Sequence, residues 1–110
     1  MEVLKMKIVN TAEYREIIKN GIVLVDFFAN WCGPCKALAP VLEELSSAYP
    51  DIEFVKVDVD NEEDLAMEYG IMSIPAVFIL KDGNVIHSIG GYRGKEEMKA
   101  FIDEALKMAA

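Results

Sequence analysis

At 110 residues the chain fits one domain, 1–110, long enough to bury a core without cross-links or metals. Hydrophobic residues make up 53% and charged residues 27%, with no low-complexity run, linker or internal repeat, which excludes disordered and tandem-repeat classes. Eleven basic against nineteen acidic residues leave a net charge of -8, which repels phosphate backbones and anionic lipid headgroups, so neither nucleic acid nor a membrane is expected as a partner.

The opening "MEVLKMKIVNTAEYREIIKNG" alternates apolar and charged residues and lacks the continuous apolar stretch of a secretory signal. No apolar run reaches the roughly 18 residues of a membrane span, since "GIVLVDFFANW" is cut by Asp26 and Asn30. The expected setting is the cytoplasm, where structural disulfides stay reduced. A purely stapling role for Cys32 and Cys35 is therefore disfavoured.

In chain order, "VLKMKIV" reads as a short strand. Asn10-Thr11-Ala12-Glu13 has the capping-box pattern and opens a helix with Tyr14, Ile17 and Ile18 inward, closed by Gly21. Ile22 to Ala29 is an almost unbroken apolar run, as in a strand covered on both faces, and should be central. Leu38, Val41, Leu42, Leu45 and Tyr49 recur at helical spacing. They predict a helix from about Gly33 to Ala48, stopping before Pro50, with a kink at Pro40. "IEFVKVDVD" is the next strand, and Asp60 with Glu63 is expected to cap a short helix ending at Gly70. "AVFIL" and "NVIHSI" flank Asp82-Gly83, a strong signal for a tight hairpin. A last helix places Met98, Phe101, Ile102, Ala105 and Leu106 on one face.

The order β-α-β-α-β-α-β-β-α predicts an α/β fold, a mixed central sheet of five strands flanked by four helices. In such sheets chemistry gathers at the carboxyl ends of the strands, and "NWCGPCK" follows directly on the central strand. With the helix starting near Gly33, Cys32 takes the N-cap and Cys35 the first turn, with Cβ atoms about 5–6 Å apart. Such a pair can open and close a disulfide with little adjustment. Unpaired N–H groups and the helix dipole favour thiolate at Cys32, the expected nucleophile. Cys35, expected to lie deeper, should stay protonated until it attacks a mixed disulfide at Cys32. Pro34 has no N–H and suits the first turn.

Asp26 is a carboxylate inside the apolar central strand. Burial should raise its pKa and fit it to accept the proton of Cys35 through a water, unless it simply caps a neighbouring chain. Lys56, in the adjoining strand, either pairs with Asp26 and moderates that shift or reaches out to water. Pro75 is sterically acceptable as the start of a strand, and Ile74-Pro75 is also a candidate for a cis peptide bond. A metal site needs about four ligands, and beyond the two cysteines there is only His87, read as an exposed strand residue. Neither a metal nor another cofactor is expected.

These residues resemble the thioredoxin family over nearly the whole chain. The most specific part is Trp31-Cys32-Gly33-Pro34-Cys35-Lys36, preceded by the strand that carries Asp26 and followed by Ile74-Pro75 and Gly90-Gly91. The resemblance implies a thioredoxin fold and a cytosolic thiol-disulfide oxidoreductase that reduces disulfide-containing target proteins and is recharged by a thioredoxin reductase. A lowered cysteine pKa and a reducing couple come with the family. It implies that Pro75 packs in cis beside the sulfurs, where it hinders metal capture, and that the Ile74 backbone pairs with an incoming segment. Trp31 would shield the pair, and Gly33, Pro34, Ile74 and Gly91 would form an apolar rim for partners, with Lys36 and Lys56 in support. A monomer would suit a reductant that serves many partners. Phe28, where many members carry a second tryptophan, and Asn30, Met72 and Ser73 depart from the family pattern and bear on partner preference. An oxidase or isomerase of the same fold is the nearer alternative, and a scaffold with incidental cysteines the further one.

Overall fold

The computed structural model describes residues 6–110. The elements are β1 (Lys7–Ile8), α1 (Thr11–Ile17), β2 (Ile22–Phe28), α2 (Gly33–Ser46), β3 (Ile52–Asp58), α3 (Glu63–Glu68), β4 (Ala76–Lys81), β5 (Asn84–Gly90) and α4 (Lys95–Ala109). One sheet of five strands runs β1-β3-β2-β4-β5, so β2 is central as its apolar run requires. β3 lies parallel to β1 and β2, whereas β4 is antiparallel to both β2 and β5. This is the thioredoxin fold. The predicted first strand begins at Val3, and that start lies outside the described residues.

Period-2 alternation along β2 sends its side chains to two separate cores. Leu24 meets Leu38, Leu42, Ile79, Met98 and Ile102 beneath α2 and α4. Val23, Val25 and Phe27 meet Tyr14, Val57 and Leu65 on the side of α1 and α3. Each such fully buried aliphatic or aromatic side chain contributes about 1.5–3 kcal/mol. Asp26 belongs to the first face by the same alternation.

The capping box of α1 forms: Asn10 Oδ1 accepts from the Glu13 N–H at 2.8 Å, and Glu13 accepts from the Asn10 N–H at 2.9 Å. α1 stops at Ile17, short of Gly21, which turns the chain into β2 at φ 81°. α2 runs through Pro40 as one helix and stops at Ser46, two residues before the predicted end. The predicted cap of α3 does not form. Glu62 occupies the N-cap without a side-chain bond and binds Thr11 instead, while Asp60 is drawn to Trp31. Tertiary partners outcompeted the local motif.

Between β4 and β5, Lys81 pairs with Asn84, leaving a two-residue loop with Asp82 at φ 49° and Gly83 at φ 88°. The type I′ hairpin turn needs positive φ at both central residues and favours Asp-Gly, which is why this dipeptide was legible. His87 is not an exposed strand residue: its ring stacks on Phe101 with centroids 4.6 Å apart, and Nε2 lies 2.8 Å from Glu104. The packing of α4 across β5 leaves it half-buried, with 23% of the side chain exposed.

Candidate active site

β2 ends at Phe28, and the chain turns through Ala29, whose carbonyl accepts the Cys32 N–H at 3.2 Å. Cys32 is the N-cap of α2 in extended conformation, and Gly33 and Pro34 open the helix. The missing N–H of Pro34 removes a donor that would have no helical partner there. A disulfide joins Cys32 to Cys35, with Cα atoms 5.3 Å apart. The Cys35 N–H donates to Cys32 Sγ at 3.2 Å, so a thiolate at Cys32 meets a backbone donor and the positive end of α2.

The two cysteines are almost equally buried, at 4% and 3% exposure, so depth does not separate them as expected. Their surroundings do. Cys32 opens onto a cleft of about 480 Å³ lined by Trp31, Gly33, Pro34, Met72 and Ile74 among others. Cys35 opens onto a second cavity of about 210 Å³, bordered by Phe28, Lys36, Ala39 and Lys56. One sulfur faces an apolar groove and the other a small cationic recess.

Ile74-Pro75 is a cis peptide, and the Ile74 carbonyl oxygen lies 3.8 Å from Cys32 Sγ. Gly91, at φ 82°, donates its N–H to the Pro75 carbonyl at 2.8 Å. Neither Pro75 nor Gly91 lines the cleft. They brace the loop that carries Ile74.

Asp26 is fully buried, and neither carboxylate oxygen has a hydrogen-bond partner among the described residues. Desolvation pushes its pKa up to about 7, against the opposing field of Lys56. Lys56 stands opposite Asp26 in the β2–β3 register, yet its ammonium lies 4.3 Å from the centroid of the Phe28 ring. It moderates the shift without bonding the carboxylate. Among the described residues no group of three or more His, Cys, Asp or Glu is placed to hold a metal.

The thioredoxin family model matches residues 5–104. The chain belongs to the thioredoxin family. It is 47% identical over 87 residues to the thioredoxin of Bacillus subtilis, covering 78% of this chain and 84% of that one. A solved Plasmodium falciparum thioredoxin superposes with a TM-score of 0.85 at 40% identity, covering 90% and 98% of the two chains. The oxidised form of mitochondrial thioredoxin 3 from Saccharomyces cerevisiae gives 0.80 at 40% identity, covering 89% and 94%. The chain is a thiol-disulfide oxidoreductase, and its chemistry is dithiol-disulfide exchange at the Cys32–Cys35 pair that reduces protein disulfides.

Trp31, Cys32, Gly33, Pro34 and Ile74 line one cleft, while Gly91, expected on the same rim, does not. Sequence reasoning missed Asp60, whose carboxylate accepts the Trp31 Nε1–H at 2.8 Å and fixes a side chain that is 70% exposed. It also missed Val59, Ala66 and Ile71 in the cleft wall. Nothing local marks them: they reach the cysteines only because β3 lies beside β2 and α3 folds back.

Proposed function

We propose that Cys32 attacks a target disulfide, forming a mixed disulfide and releasing the first target thiolate. Cys35, giving its proton to Asp26 through a water, then attacks the Cys32 sulfur. The second target thiolate leaves, the Cys32–Cys35 disulfide closes, and two electrons have passed to the target. The single observation that carries this order is the Cys35 N–H on Cys32 Sγ, with Cys32 and not Cys35 lining the apolar cleft. The target strand runs along the Ile74 backbone, with Trp31, Gly33 and Pro34 as rim, Pro75 and Gly91 bracing the loop, and Lys36 and Lys56 in support.

A thioredoxin reductase reopens the disulfide, and the chain works as a single-domain monomer in the cytoplasm, where other thiols are also kept reduced. Exchange of Cys32 for Ser should abolish turnover, and Cys35→Ser should trap mixed disulfides with target proteins. Trapping by Cys32→Ser instead would reverse the assignment. The potential of the couple, equilibrated against graded dithiol buffers, should lie well below that of the glutathione pool. A value near or above the pool would make the chain an oxidase or isomerase.

A further inference from the structure

Asp26 and Lys56 face each other across β2 and β3 and rise from the same side of the sheet. A lysine so placed beside a buried, unpartnered carboxylate has an electrostatic reason to bond it. It does not, since neither Asp26 oxygen has a hydrogen-bond partner among the described residues. Lys56 instead leans along the sheet toward Phe28, two residues beyond Asp26, and sets its ammonium 4.3 Å from the ring centroid. That ring is 5% exposed and belongs to the small apolar cluster of Ala29, Cys32 and Cys35. The aromatic face that receives the cation is thereby held in place by the redox pair's own packing.

We propose that Phe28 is a positioning residue: its ring captures the Lys56 ammonium and holds it away from Asp26. The functional meaning rests on Asp26 acting as the proton acceptor for Cys35. A direct Lys56–Asp26 ion pair would hold the carboxyl ionised well below neutrality, where it takes up a proton poorly. With the ammonium parked on Phe28, Asp26 feels a moderating field and no bond.

Among the described residues, the other groups around Asp26 leave Lys56 as the cation that matters. On β3, Asp58 is already bonded to the Asp60 N–H and the Asn61 amide. β4 sets apolar Val77 opposite Asp26, and α4 brings Met98, Phe101 and Ile102 to this face. From α2, Cys35 and the exposed Lys36 border the recess that Lys56 enters.

Two nuclear magnetic resonance readouts on the reduced full chain test this. The Lys56 ε-methylene protons should be shifted upfield by the Phe28 ring current, and shifts at ordinary lysine positions would overturn the proposal. Followed by its carboxyl carbon, Asp26 should titrate about one pH unit lower in Phe28→Leu, because the freed ammonium closes on it. Phe28→Trp, which keeps an aromatic face, should retain the original midpoint. Lys56→Met should raise the midpoint and make it insensitive to Phe28→Leu. An unchanged or raised midpoint in Phe28→Leu, or a fall in Phe28→Trp, would sink the idea. If Phe28→Leu does not fold, the ring current and Phe28→Trp still decide. An Asp26→Asn variant with undiminished exchange would remove the proton role while leaving these readouts to judge the positioning.

Discussion

Two carboxylates are buried on the same face of the sheet, Asp26 in the middle of β2 and Asp58 at the end of β3, at 0% and 6% exposure. Asp58 Oδ1 accepts the Asp60 N–H at 2.9 Å and Oδ2 the Asn61 side-chain amide at 3.4 Å, tying the turn that leads to α3. Asp26 has no such partner among the described residues. Equal burial thus hides opposite roles. A satisfied buried carboxylate holds a turn, whereas an unsatisfied one lowers stability when ionised and keeps its proton to near neutrality.

The largest expected effect breaks the symmetry between the two by sign. The Asp26 pKa is raised from 3.8 to about 7, so the folded chain keeps a proton that the unfolded chain releases across that window. Stability therefore falls as pH rises from about 4 to about 7, and Asp26→Asn removes the fall. That variant should be about 4 kcal/mol more stable than the unchanged chain at pH 8 and equal to it below pH 4, read from denaturant midpoints. A constant difference across pH would contradict the desolvation account.

Exchange kinetics sharpen the contrast. Resolution of a mixed disulfide should slow roughly 10- to 100-fold in Asp26→Asn and lose its rise through pH 7. In Asp58→Asn the rate should stay within about twofold, since that carboxylate serves the turn. Equal slowing in both would make the effect one of general destabilisation. Asp58→Ala should instead reduce stability by about 1–2 kcal/mol in urea unfolding, through loss of the bonds at the turn.

The opposite face supplies a third buried polar group. Tyr14 is fully buried and its hydroxyl donates to the Tyr69 hydroxyl at 2.6 Å, inside an aromatic cluster with Phe27 and Phe78. Satisfied like Asp58, it should cost about 1 kcal/mol of stability on Tyr14→Phe and leave exchange unchanged. A stabilising Tyr14→Phe would mean that the pair is strained and not satisfied.

Much of this was legible locally. The run from Ile22 to Ala29 had to be central because only a strand covered on both faces tolerates so little polarity. Asp26 stood out for the same reason, and Asp82-Gly83 and the Asn10 capping box announced themselves by backbone chemistry within four residues. Asp60 and His87 were misread because their partners are distant in sequence. Asp60 had a plausible local use as a helix cap and was taken by Trp31, 29 residues earlier. His87 was half-buried by Phe101 and Glu104 of α4, which no strand pattern encodes.

The amino-acid sequence by itself determined the element order, the central strand, the hairpin and the placing of two cysteines at a helix start. Each of these follows from short-range periodicity, capping or turn geometry. Only the tertiary structure decided which sulfur faces the cleft, that Asp26 finds no partner among the described residues and that Lys56 rests on Phe28. These depend on strand register and helix docking, which bring together groups about thirty residues apart, and a one-residue slip of β3 would turn Lys56 to the other face.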